Sequence, residues 1–457
     1  MSVLPDGTAV PGSLAATASR GSTAEYEGVV SSDGSHVLFT YGGALYDRID
    51  GQRTVQIDEK HGGPDPSGGG SFKTATSDGS KVFFLDESKL TAGSTAAAVE
   101  PDLYECALGE GASKCALTDL TVAAGSEHAD VLRVIPLGGH DSSYVYFVAE
   151  GVLASNTREF SNSEGKTVVE GAEPGKQNLY LWNGEKTVFI ASGVSYQGRQ
   201  GNEQTSSDGK WIAFESQKGL TGYDFVEPKG VYPINELFLY SAATEQLVCA
   251  SCNPTGEAPV AGGGVARFSR EHEEGYGVFR ERHVLTDAGQ LFFETRDALV
   301  PSDTNGQLDV YEYEGGHVYL ISSGTSSFGS NLEGASESGD DVFFRSNQAL
   351  VPQDQREGQI VIYDARVAGG FPEPVSPPAC TTADACRTAV PPQPSVYGAP
   401  ASQTFSGVGN LAPPATKAKP KAKPVKCRKG FVKKKGKCVR KQAKKAKKSV
   451  HANRRGK

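Results

Sequence analysis

One unit recurs along most of the chain and constrains its fold more than any other feature. It consists of a short polar turn, an apolar triplet or quartet, a polar loop, and a second apolar run ending in Tyr or a near substitute. The first halves read SSDGSHVLF from Ser31, TSDGSKVFF from Thr76, DSSYVYF from Asp141, SSDGKWIAF from Ser206, LTDAGQLFF from Leu285 and SESGDDVFF from Ser336. The second halves read ALYD, DLYE, NLYLW, ELFLY, DVYEY and IVIYD, starting at Ala44, Asp102, Asn178, Glu236, Asp309 and Ile360. Turns follow one another at intervals of about 45 to about 79 residues, a spacing that marks stacked supersecondary units with variable insertions.

Asp-Gly between apolar runs favours a tight hairpin, because Gly takes the positive φ that such a turn requires. Val, Ile, Phe and Tyr suit a pleated, packed surface. A sheet with one wet face would alternate apolar and polar residues. Here VLF, VFF, VYF, WIAF and LFF are apolar at consecutive positions, so both faces of that strand are expected to be buried. Blades stacked around an axis bury both faces. The expected fold is all-β: a six-bladed β-propeller of four-stranded antiparallel blades over residues 25–370. Residues 1–24 form an N-terminal segment whose stretch 3–12 is a candidate ring-closing strand.

These residues resemble the TolB-type (WD40-like, PD40) β-propeller repeat. Its S-x-D-G-x-x-[IV]-[AF]-F and following [IL]-Y-x-x-[DN] elements match best at residues 206–214 and 77–84. The resemblance covers roughly residues 25–370 and implies a fold, because such scaffolds carry many unrelated functions. The CASCNP element at 249–254 and the Lys-rich C-terminus are similar to those of secreted or surface propellers of actinobacteria.

Charge divides the chain into two objects. Residues 411–457 hold 20 of the 46 Lys and Arg and no acid, which leaves 26 cations against all 54 acids in residues 1–410, a net of −28. Residues 371–425 are a Pro-rich linker, including PPQPSVYGAP and APPATKAKPKAKP, with too few apolar residues to fold. Residues 426–457 form a basic tail with a small Cys-bridged hairpin, CRKGFVKKKGKC. Lys426, Arg428, Lys429, Lys433, Lys434, Lys435, Lys437 and Arg440 are the candidate polyanion-binding residues, acting through counterion release. Phe431 is the sole aromatic residue there, so base stacking and sequence-specific nucleic-acid reading are not expected. The expected partner of the tail is an anionic cell-wall polymer or another polyanion.

The eight cysteines fall into four local pairs: Cys106/Cys115, Cys249/Cys252, Cys380/Cys386 and Cys427/Cys438. An even number at short separations points to nested disulfides and an oxidising compartment. No apolar run reaches the length of a membrane span, and the start MSVLPDGTAVPG lacks the basic and apolar regions of a secretion signal. The expectation is an extracellular or cell-surface protein whose N-terminus is incomplete in this chain.

Few residues suggest chemistry. Cys249-Ala-Ser-Cys252 reads as a structural disulfide, half a zinc site or a redox motif; the turn residues Asn253-Pro254-Thr255-Gly256 after it are not the helix start that a redox motif opens. Asp303, Asn305 and Asp309 place oxygens at alternating positions around Gly306, the arrangement of a partial calcium loop, so Ca2+ is the one candidate ion. Arg270, His272, Glu273, Glu274, Arg282 and His283 make a dense titratable insertion without a metalloprotease motif. No nucleophile elbow, Walker loop or dinucleotide fingerprint occurs. Strands A to D in each blade put the long segments 86–101, 150–177 and 215–235 (B–C loops), with connections 121–142 and 253–281, on one side of the disc. Loops gathered on a rigid scaffold are where binding concentrates. The expected function is a non-catalytic extracellular binding or scaffold module, with a protein or glycan ligand on the long-loop face and the basic tail as a tether to envelope polymers. The competing expectation is a glycan-active hydrolase or lyase with its site on that face.

Overall fold

The computed structural model describes residues 2–16, 18–20, 23–25, 28–122, 128–137, 144–162, 164–194, 203–223, 235–259, 283–354, 356, 358–370, 427–429, 431–435 and 437–440. Contacts divide the chain into two compact units, Met1–Ser376 and Pro377–Lys457. No α-helix occurs among the described residues.

The first unit is a β-propeller-type stack of antiparallel meanders. Four of its sheets have four strands and two have three, and each repeat builds one sheet. The apolar run after the Asp-Gly turn is strand B and the Tyr-ending run is strand C, as in His36–Tyr41 with Ala44–Ile49 and Lys81–Asp86 with Asp102–Ala107. In the fifth sheet the strand A position shows, among the described residues, a single bridge, Leu285 to Leu291. The sixth sheet ends at Val361–Arg366, and no strand D pairs with it among the described residues. The N-terminal stretch folds back on itself through the Val3–Ala9 bridge. Thr54 of the first sheet's strand D donates its hydroxyl to Val3 O, and Leu14–Ala15 pairs with strand B of that same sheet.

The turns show why Ser/Thr-x-Asp-Gly recurs. The hydroxyls of Ser31, Thr76, Ser206, Thr286 and Ser336 accept the amide five (Ser31, Thr76, Ser206, Ser336) or four (Thr286) residues on. Gly34, Gly79, Gly209, Gly289 and Gly339 have φ between 71° and 82°, where a side chain is strained. Three of these glycines also touch the preceding sheet. A Cβ on Gly79 would lie 2.5 Å from His36 Cβ, one on Gly289 2.7 Å from the Trp211 ring, and one on Gly339 2.5 Å from Gln290 Oε1.

Every sheet carries the same aromatic pair. Phe39–Tyr46, Phe84–Tyr104, Phe147–Tyr180, Phe214–Phe238, Phe293–Tyr311 and Phe344–Tyr363 are direct cross-strand partners on B and C with centroids 5.4 to 5.9 Å apart. Such pairs add about 0.5–1.5 kcal/mol each beyond the burial of their area. The tyrosine hydroxyl does a second job. Tyr104, Tyr180 and Tyr363 donate to the carbonyls of Ser88, Gly151 and Gln348, and these three and Tyr311 accept the amides of Leu90, Leu153, Leu350 and Leu299. Each thereby fastens the start of its own B–C loop. In the fourth sheet the sequence points to Tyr240 as the equivalent residue, but the register gives that place to Phe238, opposite Phe214.

The sheets stack in one direction. In strand B the aromatic residue and the residue two before it face the preceding sheet, and the residue between them faces the next. Leu38 thus shares a core with Val82 and Phe84, Phe83 with Val145 and Phe147, and Tyr146 with Ile212 and Phe214. Ala213 and Phe292 do the same within the core that holds Leu291, Phe293, Val342 and Phe344. In the second to fifth sheets consecutive apolar positions are therefore buried from both sides, as their lack of alternation predicts, while Val37 of the first sheet and Phe343 of the sixth are each 40% exposed.

In the second unit, strands Phe431–Lys434 and Lys437–Arg440 pair antiparallel, and the Cys427–Cys438 disulfide closes them into a small hairpin.

Candidate functional site

The long-loop end of the third and fourth sheets holds a cluster of buried polar groups. Segment 150–177 is not a bare loop: Arg158–Ser161 and Thr167–Glu170 pair as a hairpin of their own. Alternation in REFS and TVVE suits a hairpin, and the turn between them is closed by Asn162, whose side-chain oxygen accepts the amides of Glu164 and Lys166. Glu170 holds this hairpin in place. Its carboxylate is buried and meets Arg158 of the same hairpin and Lys218 of the fourth sheet's B–C loop. Ser192 donates its hydroxyl to Glu170 Oε1 at 2.8 Å, and Arg158 Nη1 donates to Leu220 O at 3.1 Å. Burial works to raise the Glu170 carboxyl, but the Lys218 hydrogen bond and the Arg158 and Lys218 charges outweigh it and hold the group below its ordinary value.

Beside this latch, at the start of strand C in the fourth sheet, Glu236 is wholly enclosed. Ser251 donates its hydroxyl to Glu236 Oε2 and accepts the Leu237 amide at 2.8 Å. Among the described residues Glu236 Oε1 has no hydrogen-bond partner. Burial pushes this carboxyl up to about 8, the Ser251 hydrogen bond opposing and the nearby Asp297 charge assisting. Glu236 is thus a neutral carboxylic acid at pH 7. In the second, third and fifth sheets the first residue of strand C is likewise polar, and Asp102, Asn178 and Asp309 bond to their own B–C loops. That recurrence is visible in DLYE, NLYLW, ELFLY and DVYEY, where the first letter is polar each time. Asp86, at the end of strand B in the second sheet, is a further buried acid raised to about 6 by burial.

Cys249 and Cys252 lie against Glu236, with the ligand atoms of all three within 4.8 Å of one another. The two sulfurs are joined as a disulfide with Cα atoms 5.5 Å apart, so neither is a thiolate donor and the group is not a ready metal centre. Cys106–Cys115 bridges the facing ends of strands C and D in the second sheet, and Cys427–Cys438 closes the C-terminal hairpin. Cys380 and Cys386 lie outside the described residues.

Asp303, Asn305 and Asp309 do come together. Asn305 Nδ2 donates to Asp309 Oδ2 at 2.7 Å, the Gln307 amide to Asn305 Oδ1 at 2.7 Å, and the Tyr311 hydroxyl to Asp303 Oδ2. Ser322 also donates to Asp309 Oδ1. These oxygens accept hydrogen bonds from the chain's own donors. Of the titratable insertion, residues 270–282 lie outside the described residues; the His283 carbonyl accepts the Ala335 amide at 2.7 Å and ties the fifth sheet to the sixth.

In the C-terminal hairpin Arg428, Lys429, Lys435, Lys437 and Arg440 are exposed, as is Phe431. Lys433 and Lys434 occupy its first strand, and Lys426 lies outside the described residues. No helix among the described residues is long and apolar enough to cross a membrane.

The chain matches no protein-family profile and no curated protein. Among solved structures it is similar to an oligogalacturonate lyase in complex with manganese, at 11% identity over 74% of this chain and 75% of that one with a TM-score of 0.31. It is also similar to a putative TolB from Agrobacterium tumefaciens, at 12% identity over 64% and 78% with a TM-score of 0.27. A third is the β-propeller domain of the trilobed protease from Pyrococcus furiosus, at 10% identity over 72% and 90% with a TM-score of 0.22. All three likenesses are remote in sequence and concern the fold.

Proposed function

We propose that this protein is an exported, non-catalytic binding and scaffold module, tethered to anionic cell-envelope polymers by its basic tail. The observation that carries the reading is the C-terminal hairpin, closed by Cys427–Cys438, which exposes five cations and no acid. A disulfide-closed cationic hairpin offers closely spaced charges to a polyphosphate or polyuronate, and affinity arises from the counterions that polymer releases. The disulfides support an oxidising compartment. Long loops on the propeller, with the hairpin 158–170 held rigidly by Glu170, supply a surface for a protein or glycan ligand.

Deleting residues 411–457 tests the tether. The truncated protein should keep the folded propeller's circular dichroism and lose salt-sensitive association with cell-wall material. Equal binding by the truncated protein at low salt would refute the tether.

A further inference from the structure

The Cys249–Cys252 disulfide differs from the other two in what stands beside it. Cys249 ends strand D of the fourth sheet, and Cys252 precedes the turn closed by the Gly256 amide on Asn253 O. Both are half-buried against the core of the third and fourth sheets, so a thiol can reach them, whereas Cys106 and Cys115 are 0% and 3% exposed. A carboxylate oxygen of Glu236 and both sulfurs lie within 4.8 Å of one another. Among the described residues neither of the other disulfides has an acid this close to both sulfurs.

The Cys-Ala-Ser-Cys loop itself fixes that acid. Ser251 donates its hydroxyl to Glu236 Oε2 and accepts the Leu237 amide, and the Ala250 amide donates to Leu237 O at 2.8 Å. Glu236 also differs from the acids that open strand C elsewhere. Both carboxylate oxygens of Asp102 and of Asp309 accept hydrogen bonds. Glu236 is enclosed at 0%, and among the described residues its Oε1 meets no donor. A purely structural acid gains nothing from a buried oxygen left without a partner.

We propose that Cys249–Cys252 is a thiol–disulfide exchange site for a dithiol, with Glu236 as the donor of the proton that the first released sulfur takes up. A thiolate of the dithiol attacks one sulfur, the Cys249–Cys252 bond breaks, and a mixed disulfide forms. The released sulfur departs as a thiolate against an apolar core, where an unneutralised charge is disfavoured, and the Glu236 proton passes to it. The second thiol of the dithiol gives its proton back to Glu236 and attacks its own sulfur in the mixed disulfide. The dithiol leaves as a disulfide, the second protein sulfur takes a proton from water, and two electrons have passed to the protein. The field of a helix start, which stabilises thiolates in other Cys-x-x-Cys sites, has no source after Cys252; here a neighbouring acid neutralises the thiolate instead. The titratable groups that act on Glu236 from other segments are Asp297 and Tyr223 in the B–C loops of the fifth and fourth sheets, and the Asp297 charge favours the protonated acid.

The test treats the full-length protein with dithiothreitol, quenches with an alkylating agent at intervals, and follows each cysteine by peptide mass spectrometry. Cys427–Cys438 serves as the internal standard, because the ratio of the two opening rates in one tube cancels the ionisation of the reductant. In the wild type the ratio of Cys249–Cys252 opening to Cys427–Cys438 opening should fall about tenfold from about pH 6 to about pH 9, since roughly a tenth of Glu236 then keeps its proton. In Glu236→Gln the ratio should start lower and stay flat, while Cys106–Cys115 remains closed throughout in both proteins. A Cys249–Cys252 bridge that opens no sooner than Cys106–Cys115 overturns the proposal. So does a wild-type ratio indifferent to pH, or a Glu236→Gln ratio that follows the wild type. The wild-type profile needs no variant and decides by itself if Glu236→Gln does not fold.

Discussion

Phe293 and Tyr311 stand directly opposite each other on strands B and C of the fifth sheet, ring centroids 5.9 Å apart, and the tyrosine hydroxyl reaches on to Asp297 O at 3.3 Å. One residue pair thus joins strand to strand and strand to loop. The same double contact occurs at Tyr104, whose hydroxyl also lies 2.7 Å from Ser94 Oγ. Tyr104→Phe should keep the stack and lose the loop attachment, at a cost of about 1–3 kcal/mol because buried loop groups lose a partner. Phe84→Ala should cost about 3–5 kcal/mol through the cavity it leaves. Urea denaturation of the two variants checks the order.

The turn glycines separate backbone strain from packing. Gly34 and Gly289 both have positive φ, but only Gly289 lies against a neighbouring ring, that of Trp211. Gly34→Ala should cost about 1–2 kcal/mol, the penalty of a left-handed residue. Gly289→Ala should cost visibly more, since Trp211 must also move. Thermal melts of the pair read the difference.

Much of this was legible from the repeat alone. The consecutive apolar triplets predict strands buried on both faces, and Phe83 with Phe84, and Phe292 with Phe293, are buried on opposite faces of their strands in the way that reasoning requires. The Ser/Thr-x-Asp-Gly turns fall where the sequence puts them. Other features were harder to see. ELFLY carries two aromatic residues on one face of the strand, and nothing local says that Phe238 rather than Tyr240 stands opposite Phe214; the register across the sheet decides it. The loop hydrogen bonds of the strand C tyrosines depend on where Leu90 or Leu299 falls after the B strand. The Glu170 latch joins residues 48 positions apart, Glu170 and Lys218, which no spacing rule connects. Its hairpin did leave a signal, the alternation on either side of Asn162.

Glu236 gives stability a pH dependence of definite sign. Its folded-state value is raised from 4.5 to about 8 by burial, so the folded protein holds a proton that the unfolded chain releases. The stability tied to that proton is complete below about 4.5 and is lost as pH rises through about 8. Asp86, raised to about 6, acts in the same sense over a lower window. Glu236→Gln imitates the neutral acid. It should melt higher than the wild type at pH 8 and alike near pH 4.5, which calorimetry at the two pH values would show.

Glu170→Ala should free the hairpin 158–170 without unfolding the stack. Removing the carboxylate leaves Arg158 buried beside Lys218 with no counter-charge, a local penalty on the order of 3 kcal/mol, reduced because Lys218 is partly solvated. Hydrogen exchange should accelerate in 158–170 and stay slow in Val145–Ala149 and Trp211–Ser216.

The tether is the centre of the functional account, and the salt dependence of polymer binding tests it most directly. Affinity of the full-length protein for purified teichoic acid should fall steeply as salt rises, with a log–log slope of about 0.7–0.9 per charge neutralised if the polymer behaves as other polyphosphates do. Replacing Arg428, Lys429, Lys435, Lys437 and Arg440 with Gln should flatten that slope and weaken binding most at low salt. An affinity indifferent to salt, or one unchanged by the five replacements, would contradict the account.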